Sequence, residues 1–167
     1  MRIIFIALTI SLSTLCFGQK FKVDTVYLSG SVESRINFVI LPDGYTSLEF
    51  GKFTEDVQKF ITTFLATPPF KQYKHYFNFF AIEVPSEESG ANHPGTATDV
   101  SEPAHPVLKT NNYFSSTFDY YQIHRLLLAT DVAKVYQVSA DNFPMYDHVI
   151  IIVNSEYYGG SGGDYST

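Results

Sequence analysis

Five consecutive β-branched residues at 149–153, with the sequence VIIIV, place the strongest constraint on the fold of this chain. Such a run predicts a central strand covered on both faces, because a strand with one wet face alternates apolar and polar residues. Tyr157 and Tyr158 follow, and then four glycines within residues 159–163. Since glycine lets a backbone approach a ligand closely, we expect a binding cleft where this strand ends.

Two further apolar runs, at 35–41 and 77–84, predict two more strands with a helix between them. Thr46 and Glu49 have the spacing of a capping box at the start of that helix. The apolar residues behind it recur at intervals of three and four, and they are Phe53, Val57, Phe60, Ile61, Phe64 and Leu65. The order strand, helix, strand indicates a layered α/β fold with a parallel pair of strands.

Weaker patterns complete the expected fold, which is a mixed, largely parallel sheet with flanking helices. Residues 21–28 predict an early or edge strand. Pro42 predicts the end of the second strand, because proline cannot continue a central ladder, and Asp43-Gly44 predicts a turn in which the aspartate is structural rather than a ligand. Two more helices are expected at 119–129 and 131–138. The first of them would bury Ile123, Leu126, Leu127 and Leu128.

The first 19 residues predict a secretory signal peptide. Arg2 precedes an uncharged apolar stretch at 3–17, and small residues lead to an expected cut before Gln19 or Lys20. The stretch is too short for a comfortable membrane span. Two alternatives are a buried N-terminal strand and a lipid anchor at Cys16. The favoured prediction is that residues 20–167 are exported to the medium, the periplasm or the cell surface. No membrane contact is expected once the leader is removed.

Composition narrows the classes of function. The chain has 11 Lys and Arg against 17 Asp and Glu, a formal charge of −6, and the leader contains one of its basic residues. An acidic chain without a basic stripe is a poor nucleic-acid binder. Its one cysteine lies in the leader, so the exported part must be held together by its core rather than by disulfides. The length of the remainder fits a single domain.

A long polar loop at 87–113 contains His93 and His105 together with several carboxylates. Imidazole and carboxylate groups suit zinc or calcium. However, the two histidines lack the spacing of a ligand pair, so a solvated loop is the favoured interpretation. His124, on the expected helix at 119–129, is interpreted as a packed or surface residue. No metal site is therefore predicted within this chain.

Ser161 lies in a G-x-S-x-G pattern, the sequence signature of a serine nucleophile elbow. An elbow places its serine directly between a strand and a helix, with the acid and histidine partners later in the chain. Here five residues separate the strand from the pattern, and the expected partners do not follow. A serine hydrolase using Ser161 is a disfavoured alternative.

Several short blocks, taken in order, match one known family. The blocks are 36–45, 67–70, 77–78, 85–90, 153–155 and 158–162. Together they resemble the front half of the IgA-peptidase family of secreted bacterial zinc metallopeptidases, over roughly residues 27–167. The resemblance implies a zincin-like domain that hydrolyses peptide bonds of protein substrates. In that family a helix bearing H-E-x-x-H follows the Tyr-Gly-Gly loop, binds zinc and activates a water molecule.

This chain has no H-E-x-x-H, so no catalytic or zinc-binding residue is carried over. We therefore expect residues 20–167 to be the N-terminal part of a peptidase domain, inactive alone, whose zinc ligands lie outside this sequence. A secreted non-catalytic module that binds peptide or carbohydrate is the main alternative. The oligomeric state is not indicated. The residues expected to form the cleft wall are Asn154, Ser155, Tyr157, Tyr158, Gly159, Gly160 and Ser161.

Overall fold

The computed structural model describes residue 18, residues 20–99 and residues 107–167. His105 and nearly all of the expected signal peptide therefore lie outside the described residues. The main sheet contains β1 (Val23–Tyr27), β2 (Ile36–Asp43), β3 (Phe77–Ile82) and β6 (His148–Val153) in the order β1-β3-β2-β6. β2 is parallel to both β3 and β6, while β1 is antiparallel to β3. The mixed, largely parallel sheet is confirmed.

In the part of the chain that the structure describes, three α-helices accompany this sheet: α1 (Phe50–Ala66), α2 (Phe70–Tyr73) and α3 (Val132–Asn142). A two-stranded sheet is formed by β4 (Ser116–Thr117) and β5 (Leu128–Ala129). The capping box is present, with Thr46 and Glu49 bonded to each other ahead of α1. The parallel pair β2–β3 is joined through α1, as the order of elements predicted. Among the described residues, no helix is both long and apolar enough to cross a bilayer.

Successive residues of β2 and β6 point to opposite faces of the sheet, and each face is covered by a helix. The cluster on the α3 side includes Val39, Leu41, Val135, Val138, Val149 and Ile151. The cluster on the α1 side includes Ile40, Phe53, Val57, Ile61 and Ile150. Burial on both faces explains why residues 149–151 contain no polar side chain, and the α1 stripe read from the sequence is the face that packs on the sheet.

Two buried asparagines lie opposite each other where β2 and β3 begin. Asn37 is 2 % exposed and Asn78 is fully buried. The Asn78 amide donates to Asn37 Oδ1 at 3.0 Å, and the Asn37 amide donates to the carbonyl oxygens of Val32 and Met145. Asn78 Oδ1 accepts from the backbone N–H of Ser29. Their hydrogen bonds are therefore made within the protein, as burial of an amide requires.

Three expectations about the secondary structure are wrong. Residues 119–129 are not a helix, since they contain a short 3₁₀ turn at Tyr120–Gln122 and then β5. Pro42 does not end β2, because the pairing with β3 stops at Ile40 and only β6 continues alongside. A proline is tolerated there because the strand has one fewer neighbour.

The third correction concerns β6, which is the last strand of the described sheet rather than a central one. Its middle residues are buried, while Ile152 and Val153 are half-buried. Part of its outer edge is covered by Ser166, whose backbone bonds to Val149 and Ile151. This pairing occupies outward-facing backbone groups of Val149 and Ile151 on that edge.

Candidate functional site

The loop that leaves β6 is anchored at its first residue. The Asn154 side-chain amide lies within 3.0 Å of Gly44 O, 3.1 Å of Glu49 Oε1 and 3.0 Å of Ser89 Oγ. Its backbone N–H donates to Asp43 O. Asn154 thus ties together the ends of β2 and β6, the start of α1 and the loop after β3. Its contacts identify it as an organiser of the base of the loop after β6, which is the expected cleft wall.

Beyond Asn154, the loop becomes increasingly exposed. Ser155 is half-buried and its hydroxyl accepts from the backbone N–H of Tyr157. Tyr157 is 41 % exposed and Tyr158 is 82 % exposed. Two neighbouring tyrosines with this exposure give the loop an amphipathic surface of the kind that contacts protein partners.

Several cavities adjoin this loop. An apolar groove of about 560 Å³ is lined by Ser155, Tyr157 and Gly159 together with aromatic residues of α1, Phe60 and Phe64. A second cavity of about 450 Å³ is lined by Tyr158, Gly159 and Gly160, and a third of about 180 Å³ by Asn154, Ser155 and Tyr157. The structure therefore places six of the seven expected cleft residues on cavity walls.

Glycine is required at positions 159 and 160 because a side chain there would clash with neighbouring residues of the chain. A Cβ at Gly159 would lie 2.5 Å from the Phe118 ring, and one at Gly160 would lie 2.7 Å from Thr167 O. Ser161 exchanges backbone hydrogen bonds with Thr167. In the described part of the chain Ser161 is not flanked by a strand and a helix, so it lacks the geometry of a nucleophile elbow.

Asp43 is fully buried at the end of β2 and accepts hydrogen bonds at both oxygens. Oδ1 accepts from the backbone N–H groups of Gly44 and Phe114 and from the Ser86 hydroxyl, while Oδ2 accepts from the Ser116 N–H. The structural role expected for Asp43 is confirmed, and it extends to the distant loop at 114–116. We call Asp43 with these four donors the Asp43 corner.

Glu49 connects the capping box to the base of the loop after β6. Burial raises the pKa of its carboxyl, but hydrogen bonds from Thr46, Ser89 and Asn154 outweigh that effect, so the net pKa lies below the usual value. Hydrogen bonds to the ionised form favour it, which is why these donors depress the pKa. The anion at Glu49 thus helps to fix both α1 and Asn154.

A second buried carboxylate, Asp119, faces two imidazoles. Its Oδ1 lies 3.4 Å from His93 Nε2 and 3.2 Å from His124 Nδ1. The Asp119 side chain is fully buried, that of His93 is 3 % exposed and that of His124 is 21 % exposed. We call His93, Asp119 and His124 the His–Asp–His cluster.

Long-range backbone contacts assemble this cluster. The Phe118 N–H donates to Asn92 O, next to His93, and the Thr96 N–H donates to Asp119 Oδ2. The turn that carries Asp119 and His124 has a positive φ at three residues, Asp119, Tyr121 and Gln122. Such angles are uncommon outside glycine, and this turn replaces the expected helix.

The cluster lies beside the loop after β6. The His93 ring centroid is 5.4 Å from that of Phe118 and 6.2 Å from that of Tyr157. Phe118 belongs to a small hydrophobic cluster with Ala91 and Leu127, against which Val153 of β6 packs. The aromatic contact therefore brings the cluster to the expected cleft.

The model of the family described as IgA Peptidase M64 matches residues 25–167. The chain belongs to the IgA peptidase M64 family. No curated protein matches it. The resemblance seen in the sequence blocks is confirmed, and membership of a peptidase family implies protein substrates.

For this M64 peptidase chain, the sequence pointed to the loop after β6 but not to the His–Asp–His cluster. His93 was expected in a solvated loop, and a metal site with His105 was disfavoured because their spacing is not that of a ligand pair, but His93 is buried, with 2 % of the residue exposed. His93 instead meets Asp119 and His124, which a helix at 119–129 would have held in a different arrangement. The one signal in the sequence was that all three are metal-ligating residue types.

Proposed function

We propose that this chain is the N-terminal part of a secreted zinc metallopeptidase domain of zincin-like architecture, acting on peptide bonds of protein substrates. The match of the IgA peptidase M64 family over residues 25–167 carries this proposal. The mixed α/β fold is compatible with it. Export rests on the leader-like sequence at 1–19.

The family's zinc-binding motif is not in this sequence, because none of the histidines has a partner in an H-E-x-x-H pattern. The residues present therefore do not provide the paired histidines one helical turn apart that the motif supplies. We place that motif outside the 167 residues. A zinc ion bound there would supply Lewis-acid catalysis and an activated water.

This chain's own contribution is to bind and orient the substrate. The apolar groove beside Tyr157 has room for an aliphatic or aromatic side chain, and the rings of Phe60 and Phe64 form its opposite wall. Tyr157 and Tyr158 present hydroxyls and ring faces to a bound peptide. Asn154 holds the base of this wall against β2 and α1.

The test is to read the coding sequence downstream of the Thr167 codon and to assay the full-length product on a denatured protein substrate. We expect an H-E-x-x-H in frame, hydrolysis that a zinc chelator abolishes, and no hydrolysis by residues 20–167 alone. Absence of that motif, or hydrolysis that chelation leaves unchanged, would overturn the proposal. Binding of peptide or carbohydrate without hydrolysis would establish the non-catalytic module instead.

A further inference from the structure

We infer that the His–Asp–His cluster is a binding site for one divalent transition-metal ion, with zinc as the best-matched ion. The site uses only residues of this chain and needs no part of an H-E-x-x-H motif. It would link the loop after β3, which carries His93, to the turn that carries Asp119 and His124. Its role would be to hold those two segments together beside Tyr157.

The separations between ligand atoms match the geometry of a small tetrahedral ion. Metal–ligand bonds of about 2.0–2.1 Å at tetrahedral angles separate neighbouring ligand atoms by about 3.3 Å. Asp119 Oδ1 lies 3.4 Å from His93 Nε2 and 3.2 Å from His124 Nδ1. One ligand atom of each residue lies within 4.8 Å of the other two. The three side chains could therefore close on one ion with small adjustments.

The donor set selects the class of metal. Two imidazole nitrogens and one carboxylate oxygen suit zinc and its first-row neighbours, whereas calcium and magnesium require mainly oxygen ligands. The fractional exposure of His124, 21 %, leaves one side of the cluster open to water. Three protein ligands with a water in the remaining position form an established type of zinc coordination.

The surroundings orient the ligands as outer-shell groups do in metal sites. The Thr96 N–H donates to Asp119 Oδ2 at 2.8 Å, which leaves Oδ1 directed at the two imidazoles. The backbone N–H of His124 donates to Asp99 Oδ1 at 2.8 Å, which fixes the end of the turn. His93 is held among buried neighbours and contacts the Phe118 ring.

An ion pair without metal is the alternative explanation of the same contacts. In that arrangement one carboxylate would be shared by two imidazoles, at least one of them protonated. The two explanations differ in a measurable way, because a metal site must lose its ion when a ligand is removed, whereas an ion pair never holds one.

The direct test is a calorimetric titration of zinc into the purified chain after treatment with a chelator. We expect one zinc per chain, a visible absorption spectrum of tetrahedral type with cobalt(II), and an unfolding midpoint raised by about 5 °C at saturating zinc. His124→Ala and Asp119→Asn should each weaken zinc binding by about 100-fold or more. Because this sequence contains no H-E-x-x-H, a bound ion cannot be assigned to that motif.

The matched control is His75→Ala, since the His75 side chain is exposed and lies outside the cluster. This variant should bind zinc like the unaltered chain. Far-UV circular dichroism would establish that the ligand variants remain folded, and His124→Ala is preferred because that side chain is partly exposed. Absence of binding up to about 1 mM zinc, or unchanged binding by both ligand variants, would overturn the inference without affecting the peptidase proposal.

Discussion

Asp43 and Asp119 are both buried carboxylates, but their hydrogen-bond partners differ in kind. Asp43 accepts from three backbone N–H groups and one hydroxyl, which are fixed donors. Asp119 accepts from one backbone N–H, at Thr96, and its other oxygen faces imidazoles that can donate, accept or ligate. The first site is saturated by the fold, whereas the second retains chemical freedom.

This difference separates a structural carboxylate from a candidate functional one where burial alone cannot. The Asp43 carboxylate is held by donors that belong to the fold itself, so its role is structural. Imidazoles that face a carboxylate can carry a proton or ligate a metal ion. The identity of the donors is therefore the informative observation.

The largest expected effect is that of Asp43→Asn. Whichever carboxylate oxygen the new amide NH₂ replaces, it faces hydrogen-bond donors. At least one pair of N–H groups would therefore repel each other in a buried site. We expect a loss of about 3 kcal/mol or more in the free energy of unfolding, measured by urea denaturation. Asp24→Asn, at a partly exposed carboxylate, is the control and should change it by less than about 1 kcal/mol. A loss at Asp43 no larger than this control would remove the distinction.

Asn154→Ala should have the next largest effect, because it removes the amide that bridges Gly44, Glu49 and Ser89. We expect a loss of about 1–2 kcal/mol, since the site is only half-buried and water can replace part of the network. Thermal unfolding measures it, and Asn111→Ala, at an exposed loop position, is the control. Equal losses in the two variants would show that Asn154 does not organise the base of the loop after β6.

Asp119→Asn is the same substitution as that at Asp43. Without metal it should lower the free energy of unfolding by about 1 kcal/mol or less. The new amide can donate to an imidazole nitrogen while its oxygen still accepts from Thr96. The variant should therefore unfold much like the unaltered chain in chelator and should lose the added stability that zinc gives. A loss equal to that of Asp43→Asn would show that both carboxylates are structural.

The pH dependence of stability should reveal the Glu49 anion, with a smaller effect. Its folded pKa lies below its usual value of 4.5, so the stabilisation is complete above that value. It is lost as the pH falls through the folded pKa. Denaturation between about pH 6 and 3 should show a weaker pH dependence for Glu49→Gln than for the unaltered chain. Superimposable pH profiles would contradict the assignment.

Tyr158→Ala should have the smallest effect on folding. With 82 % of the residue exposed, we expect a change in stability within about 0.5 kcal/mol. Leu48→Ala, at a position 95 % exposed that does not line the cavities beside the loop after β6, is a matched control. In the full-length product the Tyr158 variant should lower kcat/KM for protein substrates while the Leu48 variant leaves it unchanged. Equal activities would exclude Tyr158 from the cleft wall.

The parts of the fold that local sequence determines were predictable. The capping box at Thr46 and Glu49, the apolar stripe of α1 and the parallel β2–β3 pair each follow from spacing within a short window. The loop after β6 was also located in advance, because its tyrosines and glycines follow a strongly apolar strand.

The His–Asp–His cluster was not predictable, because non-local bonds create it. The leucines after His124 have the composition of a helix, but the backbone there bonds to Gly160 and the preceding turn bonds to Thr96 and Asp99. These contacts favour left-handed backbone conformations in the turn over helical ones. Local sequence propensity cannot predict them, because the contacting residues are distant in sequence. The same bonds bring His93 to a turn that is distant in sequence.

The buried amide pair of Asn37 and Asn78 has a consequence for how the chain folds. β2 and β3 are joined through a long helical connection, so many alignments of the two strands compete during folding. A slip by two residues would keep the apolar faces correctly oriented. It would, however, place Asn78 beside Val39 and break the hydrogen bond between the two side-chain amides. Each buried amide left without a partner costs about 1–3 kcal/mol, so slipped alignments are selectively penalised. The pair therefore specifies the register of β2 against β3, which apolar residues alone cannot do.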